Sequence, residues 1–173
     1  MAISLYDLSV ESYLQLYAGV VGCLDKGLTH CLENGVDPED IVGTRLSADM
    51  NPFGFQVQAI THHSIGAVAA VQEGSYFAKP EVPPVSYGDL QQMILDAQAA
   101  LRKLNRAELD GRAGGEVIFR FRDIAIPFTV ENFLLSFSLP NFYFHAATAY
   151  DILRMRGVPI GKIDYLGQMR IKG

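Results

Sequence analysis

The N-terminal segment of the chain repeats apolar residues with the period of a helix. Apolar side chains recur every three or four positions across residues 3–32, which places them on one helical face. Asn34 and Gly35 follow as a helix stop, and Pro38 comes shortly afterwards. The pattern therefore predicts one long amphipathic helix. Its apolar face comprises Leu5, Leu8, Leu16, Val20, Cys23 and Leu28.

Two further helices are predicted before residue 105. Pro52 is typical of a first helical turn, and the apolar positions after it predict a second helix over residues 52–71. Residues 79–84 are rich in proline and predict an extended linker. Ser86 is a favourable N-cap for a third helix, whose apolar positions continue to Leu104.

The C-terminal third changes period before it returns to helix. Residues 116–128 alternate apolar and polar side chains in two short runs, which predicts a β-hairpin with its turn near residues 122–123. Residues 130–155 predict a fourth helix, in which Pro140 forces a kink or a restart. Together these elements predict an all-α fold, a single domain over residues 1–173. We expect an up-and-down four-helix bundle with a small β-hairpin inserted before the last helix.

Charge is distributed unevenly along the chain. Charged residues make up 19% of the 173 residues, yet none lies in residues 50–72 or 132–150. Both stretches are long enough to span a membrane, but their Asn, Gln, His, Ser and Thr side chains favour helices buried in a soluble bundle. The net charge of −5 argues against nucleic-acid binding, because a phosphate backbone requires a basic face. We therefore expect neither a membrane nor a nucleic acid as partner.

The two cysteines are predicted to remain free thiols. Cys23 and Cys31 lie in the first predicted helix, about 12 Å apart along its axis, which is too far for a disulfide. The N-terminus has neither the basic nor the apolar region of an export signal. These features predict a cytoplasmic protein.

Three of the four histidines lie in the charge-free stretches. The fourth predicted helix carries a polar stripe at steps of three, four and three, whose members are Ser138, Asn141, His145 and Thr148. On the second helix, His63 leans toward the interior, whereas His62 points about 100° away. If these helices pack side by side, His63 and His145 face each other. Such a pair is either a metal or small-ligand site, or a hydrogen-bonded polar layer that fixes helix register.

The fourth helix and its exit also carry a longer motif. It reads Leu-Pro-Asn-Phe-Tyr-Phe-His at 139–145, Thr-Ala-Tyr-Asp-Ile-Leu-Arg at 148–154 and Gly-Val-Pro-Ile-Gly-Lys-Ile-Asp-Tyr-Leu-Gly at 157–167. With Ile-Ser-Leu-Tyr-Asp at 3–7 and Phe-Gly-Phe-Gln-Val-Gln at 53–58, this motif resembles a domain-of-unknown-function subfamily of the DinB-like proteins. The resemblance covers essentially the whole chain. It implies the four-helix DinB-like fold and a homodimer.

The resemblance further implies a site for a divalent metal, zinc or nickel. Many DinB-like proteins place one histidine on the second helix and a His-x-x-x-His pair on the fourth. His63 is similar to the first of these ligands and His145 to the second, whereas Ala149 stands where the third imidazole is expected. Other candidate site residues are His62, Asn141, Thr148, Tyr150 and Asp151.

Two functions follow as hypotheses. The first, based on the resemblance, is a divalent-metal-dependent and thiol-dependent transferase or isomerase, with Tyr150 or Asp151 acting near the metal. The second is a non-catalytic bundle that binds a small molecule or only a second copy of itself as a homodimer, with His63 and His145 in a polar core site. We prefer the second, because apolar surface left by charge-free helices is commonly buried against another subunit.

Overall fold

The structure, a computed structural model, describes residues 3–78 and 83–172. It is mostly helical and contains one small three-stranded sheet. In chain order the elements are α1 (Leu5–Leu8), α2 (Val10–Asn34), α3 (Pro38–Val42), α4 (Phe53–His62), α5 (Ile65–Glu73), β1 (Ser75–Phe77), α6 (Tyr87–Arg102), α7 (Arg106–Asp110), β2 (Glu116–Phe121), β3 (Ile124–Thr129), α8 (Val130–Asn132), a π-helix (Phe133–Ser138), α9 (Leu139–Met155) and α10 (Lys162–Leu166).

The N-terminal amphipathic segment forms two helices instead of the single helix predicted over residues 3–32. The interruption is at Ser9, whose hydroxyl donates to the Leu5 carbonyl oxygen at 2.6 Å. A serine that bonds back to its own helix in this way competes with the backbone ladder and bends the chain. Helix α2 ends at Asn34, followed by Gly35 with a φ of +65°, as expected of a left-handed C-terminal glycine.

The segment predicted as one helix over residues 52–71 is also divided. Helix α4 ends at His62 and α5 begins after Ser64, whose φ of −115° and ψ of −84° are not helical. The Ser64 hydroxyl donates to the Ile60 carbonyl oxygen (2.7 Å) and so occupies an acceptor of the backbone ladder. Pro52 lies one residue before α4, not in its first turn. The break leaves His63 between two helices.

The third helix begins as predicted. The Ser86 hydroxyl accepts from the Asp89 N–H, and the Asp89 carboxylate accepts from the Ser86 N–H, which completes a capping box. The helix ends at Arg102, two residues earlier than its apolar pattern. Within the predicted linker, residues 79–82 lie outside the described residues. The short helices α3, α7 and α10 were not predicted.

The period-two segment forms β2 and β3, which pair antiparallel around a turn at Arg122 and Asp123. Arg122 adopts a φ of +51° in this turn. A third strand, β1, pairs parallel with the outer edge of β2, with Tyr76 opposite Phe119. Strand β1 was not predicted, because three residues are too few to show a period.

The last long helix is continuous through α8, the π-helix and α9. Proline lacks an N–H and clashes with the carbonyl group four residues earlier, so a regular α-helix does not pass through Pro140 undisturbed. The π-helix just before it contains the distortion, so the predicted kink or restart takes the form of a wider turn. Ser136 donates to the Asn132 carbonyl oxygen at 2.5 Å. Asn141 donates to the carbonyl oxygen one turn before it at 2.7 Å.

The long helices share one apolar core. Helix α2 packs against α6 and α9, and α4 packs against the same two helices. The largest fully buried side chains include Tyr13, Tyr17, Phe53, Tyr87, Phe133 and Phe142. Among the described ranges, no helix combines the length and apolarity required to cross a membrane.

Candidate functional site

A recess lies between the end of α4, β1 and the π-helix. Its volume is about 80 Å³, smaller than the roughly 300 Å³ or more of sites for drug-sized molecules, and it opens at one side through a wider mouth. His62 is the last residue of α4, His63 follows in the helix break, and Tyr76 is the central residue of β1. We refer to this recess as the histidine pocket. It is lined by Phe55, Ala59, His62, His63, Tyr76, Ala78 and Phe137.

The imidazole rings of His63 and His145 lie against each other, as their helical spacing predicts. Their centroids are 5.3 Å apart and their planes are inclined by 12°. The His62 ring joins the group, with its centroid 5.5 Å from that of His63 and 4.7 Å from that of Tyr76. The fold therefore gathers residues from α4, the helix break, β1 and α9 into one cluster.

Gln56 fixes which nitrogen of His145 carries the proton. The Gln56 amide nitrogen donates to the Asn51 carbonyl oxygen at 2.8 Å, so the amide oxygen is directed at His145 Nδ1, 2.7 Å away. Because an amide oxygen only accepts hydrogen bonds, Nδ1 of the neutral imidazole carries the proton. This network assigns Nε2 of His145 as the acceptor nitrogen.

His63 and Tyr76 form a second polar contact, which we call the His63–Tyr76 couple. The Tyr76 hydroxyl lies 3.1 Å from Nδ1 of His63. Burial raises the pKa of the Tyr76 hydroxyl, so the hydroxyl keeps its proton at neutral pH. If the hydroxyl donates to Nδ1, Nε2 of His63 carries the ring proton; if Nδ1 donates, Nε2 is an acceptor. The couple therefore has two proton arrangements of opposite direction.

Burial keeps both facing imidazoles neutral. Burial, with smaller contributions from the nearby His145 and His62 rings, lowers the pKa of His63 to about 3. It lowers the pKa of His145 to about 4, with a smaller contribution from His62. Desolvation disfavours the charged form of a base, so His63 and His145 act at neutral pH as uncharged hydrogen-bonding groups.

Two tyrosines of α2 hold the backbone at the helix break. Ser138 donates its single proton to the His63 carbonyl oxygen at 2.5 Å, so the Tyr13 hydroxyl, 2.5 Å from Ser138, must be the donor to it. Ser64 likewise donates to a carbonyl group of α4, so Tyr17 donates to Ser64 at 2.7 Å. These buried bonds fix the position of His63 from the side of the core that faces α2.

A model of the DUF1993 family, described as a domain of unknown function, matches residues 5–166. The chain belongs to the DUF1993 family. A crystal structure of a DinB family member from Shewanella denitrificans is similar to this DUF1993 chain, with 29% sequence identity and a TM-score of 0.84. The similarity covers 98% of this chain and 95% of that chain. No curated protein matches. The resemblance noted in the sequence therefore holds at the level of a DinB-like domain of unknown function.

The donor set of this DUF1993 chain does not complete the implied metal site. Across residues 3–78 and 83–172, no group of three or more His, Cys, Asp or Glu side chains is arranged to hold a metal ion. Ala149, at the position of the expected third imidazole, is buried and lines an apolar space between α2, α4 and α9. His63 and His145 supply two donors, one fewer than the three protein ligands of a catalytic zinc site.

Five of the seven predicted candidates are not among the residues that line the histidine pocket. One is His145, which contacts His63 beside it, and the others are Asn141, Thr148, Tyr150 and Asp151. Asn141 and Thr148 donate to carbonyl oxygens one turn earlier in their own helix, at 2.7 and 2.8 Å. The Tyr150 ring contacts the ring of Tyr165, with centroids 5.7 Å apart. Asp151 is exposed on α9. The polar stripe of the DUF1993 chain therefore contains two kinds of side chain. Asn141 and Thr148 bond the backbone of their own helix, whereas Ser138 and His145 bond residues on other elements.

Tyr76, Phe55 and Phe137 belong to the site of this DUF1993 chain but were not predicted from the sequence. Tyr76 reaches His63 only because β1 pairs with β2, a contact between distant segments of the chain. A single weak signal was present: Tyr76 is an aromatic residue two positions after Gly74, four residues beyond the end of the charge-free stretch.

Acid is expected to destabilise this DUF1993 fold. Because the folded-state pKa values of His63 and His145 lie below the ordinary 6.5, their contribution to stability is complete above about pH 6.5 and is lost as the pH falls toward 4 and 3. Allowing for solvent screening, we expect the free energy of unfolding to fall by about 2 kcal/mol between pH 7 and pH 4.5. Urea unfolding at both pH values measures it.

The matched variant for this pH effect is His63→Gln, which keeps a polar side chain and removes the titrating group. Its free energy of unfolding should change less between the two pH values than that of the unsubstituted chain. An equal change in both proteins would assign the acid sensitivity to other groups.

Proposed function

We propose that this chain is a small-molecule-binding protein whose ligand site is the histidine pocket. The observation that carries the proposal is the His63–Tyr76 couple, a polar pair held in the lining of an otherwise mostly aromatic recess. Small-molecule sites commonly combine an apolar lining with a few convergent polar groups and side chains of perturbed pKa. The histidine pocket has each of these properties.

A purely structural polar layer would not need an open recess. The His145–Gln56 bond and the stacked contact of His145 with His63 are sufficient to fix the register of α4 against α9. The other members of the cluster, His62, His63 and Tyr76, line the pocket, which opens toward solvent. We therefore assign the register function to His145 and the ligand function to the pocket side of the cluster.

The experiment combines metal analysis with ligand titration. Protein purified without an affinity tag should contain less than about 0.1 zinc or nickel ion per chain. The metal content of the variant His145→Ala should not be lower than that of the unsubstituted chain. A panel of uncharged and charged fragments, aliphatic and aromatic, is then titrated while the imidazole NMR signals are recorded. We expect some fragments to shift the His63 signal and none to shift that of His30. His30 lies on α2, where its carbonyl oxygen accepts from the Asn34 side chain.

Stoichiometric metal that disappears in His145→Ala would favour the alternative function, a divalent-metal-dependent transferase or isomerase. That result would require a third ligand that the described residues do not bring to His63 and His145. If no fragment shifts the His63 signal, the proposed ligand site is wrong.

The packing of the long helices is consistent with a four-helix bundle of DinB-like type. We infer that α2, α4 with α5, α6, and α8 through α9 are its four members, with the three-stranded sheet lying outside them. This inference rests on two observations: α2 and α4 each pack against both α6 and α9, and the similar DinB family structure aligns over nearly the whole chain.

We further propose a homodimer formed through the outer face of α9. Tyr143 and Phe144 are exposed there, and Phe144 is 54% exposed. Leu135 is exposed on the preceding π-helix, and all three lie within the charge-free residues 132–150. Exposed apolar residues grouped on one helix commonly mark a protein interface, and most soluble homo-oligomers are symmetric dimers.

The variant Phe144→Glu tests the dimer by placing a charge at the centre of this face. It should weaken self-association about a hundredfold or more, measured by sedimentation equilibrium. The control is Leu95→Glu, which charges an exposed leucine on α6 and should leave the dimer intact. A strictly monomeric unsubstituted chain at micromolar concentration would contradict the proposal.

A further inference from the structure

Aromatic rings make up most of the described lining of the histidine pocket. Phe55, His62, His63, Tyr76 and Phe137 contribute aromatic rings, and in the described part of the chain no Lys, Arg, Asp or Glu lines the pocket. An ionised ligand group would lose its hydration there without gaining an opposite charge, which is strongly unfavourable. The described lining therefore offers an ionised ligand no partner of opposite charge.

The rings also define the shape of a suitable ligand. Phe137 meets His63 edge-on with centroids 5.4 Å apart, and Tyr76 meets Phe137 edge-on at 5.3 Å. Aromatic rings prefer such edge-to-face or offset contacts, so a further ring can continue the arrangement. The pocket holds about 80 Å³, roughly half of the 150 Å³ that encloses benzene in an engineered protein, so one ring fits with its outer edge in the open mouth.

The His63–Tyr76 couple offers one donor and one acceptor in either proton arrangement. When Tyr76 donates to Nδ1 of His63, Nε2–H is the available donor and the tyrosine oxygen is the available acceptor. When Nδ1 donates to Tyr76, the hydroxyl proton is the available donor and Nε2 is the acceptor. A ligand hydroxyl satisfies both arrangements, because it donates and accepts through one atom.

We propose, on the basis of the ligand site proposed above, that the histidine pocket takes a single uncharged aromatic ring bearing a hydroxyl group. The ring packs among Phe55, His62 and Phe137. The hydroxyl group binds the His63–Tyr76 couple. The ligand class is thus a neutral phenol, not an aromatic acid or amine.

Four probes of similar ring size test this assignment at pH 7.5: phenol, fluorobenzene, benzoate and benzylamine. Each is titrated into the full chain, with the His63 imidazole NMR signal as readout. We expect phenol to bind about tenfold more tightly than fluorobenzene, because only phenol makes the hydrogen bond. Benzoate and benzylamine should each bind at least about tenfold more weakly than phenol, because they are ionised.

The variant Tyr76→Phe isolates the hydroxyl contact. It should reduce the preference for phenol over fluorobenzene to about twofold or less while leaving fluorobenzene affinity nearly unchanged. The matched control is Tyr143→Phe, which removes a hydroxyl from an exposed tyrosine outside the pocket and should change neither affinity. If Tyr76→Phe fails to fold, the probe series on the unsubstituted chain still decides the ligand class.

Equal or tighter binding of benzoate or benzylamine would overturn the uncharged assignment. Equal affinity for phenol and fluorobenzene would overturn the hydroxyl contact. If none of the four probes binds but other fragments shift the His63 signal, this inference fails while the proposed ligand site stands. If no fragment of any class shifts that signal, both fail.

Discussion

Replacing Ser138 with alanine is expected to lower the free energy of unfolding by about 2–4 kcal/mol, since the change leaves two buried groups without partners. Ser138 is fully buried, accepts from the Tyr13 hydroxyl and donates to the His63 carbonyl oxygen, both at 2.5 Å. Alanine removes both bonds, and each orphaned group costs about 1–3 kcal/mol. For a chain of this size, the expected fall in Tm is roughly 5–12 °C, measured by thermal unfolding.

Two control variants separate the network from the loss of a hydroxyl as such. Ser136→Ala removes an exposed serine of the same π-helix, which bonds only its own helix, and should cost less than about 0.5 kcal/mol. Tyr13→Phe removes the terminal donor but leaves Ser138 bonded to His63, so its cost should be nearer 1 kcal/mol.

The double variant of Tyr13 and Ser138 gives the decisive comparison. When both hydroxyl groups are absent, Tyr13 no longer has an unpaired group to bury, so the combined loss should fall short of the sum by about 1 kcal/mol. Strict additivity would show that the two side chains do not act through a shared bond. It would also contradict the role of Tyr13, on α2, in positioning His63 through Ser138.

The same region explains why the helix breaks were not predicted. Residues 52–71 keep an apolar period across His63 and Ser64, and periodicity reports only which face is buried. The break depends on hydroxyl bonds to backbone carbonyl groups and on Tyr17, which lies 47 residues earlier in the sequence. Such contacts are set by tertiary packing, so local propensity does not reveal them.

The candidate site was likewise predicted in part by local spacing and in part only revealed by tertiary contacts. Helical spacing on two segments was enough to predict that His63 and His145 would face each other, and their ring centroids are 5.3 Å apart. It did not distinguish His145 from Thr148, which share the stripe, because a polar side chain on an inward face can either reach across the core or bond its own helix. Tyr76 lay beyond this reasoning because it reaches His63 from a strand of three residues.

The second large effect concerns Gly19, where α10 lies directly on α2. A Cβ atom at this position would overlap the Tyr165 carbonyl oxygen and lie 2.7 Å from that of Asp164. These obstructing atoms are backbone, which cannot rotate away as a side chain can. Gly19→Ala is therefore expected to reduce the free energy of unfolding by about 2–3 kcal/mol, measured by urea unfolding.

Gly22 provides a matched control three residues along the same helix. A Cβ atom there would have no neighbour within 4 Å apart from the adjacent backbone of its own helix. Alanine is the better helix former, so Gly22→Ala should instead stabilise the protein by about 0.5–1 kcal/mol. The two substitutions make the same chemical change in one helix and should act in opposite directions.

Hydrogen exchange shows how the Gly19→Ala clash is relieved. The least costly response is for α10 to separate from α2, because only a few bonds hold it there: Lys26 to Asp164 at 2.6 Å, on the surface, and Gln15 to the Leu166 carbonyl oxygen at 3.3 Å. Amide protection should then fall in residues 162–166 and persist in α4 and α9. If protection fell equally throughout, α10 would be part of the cooperative core, and the close approach at Gly19 would stabilise the whole fold.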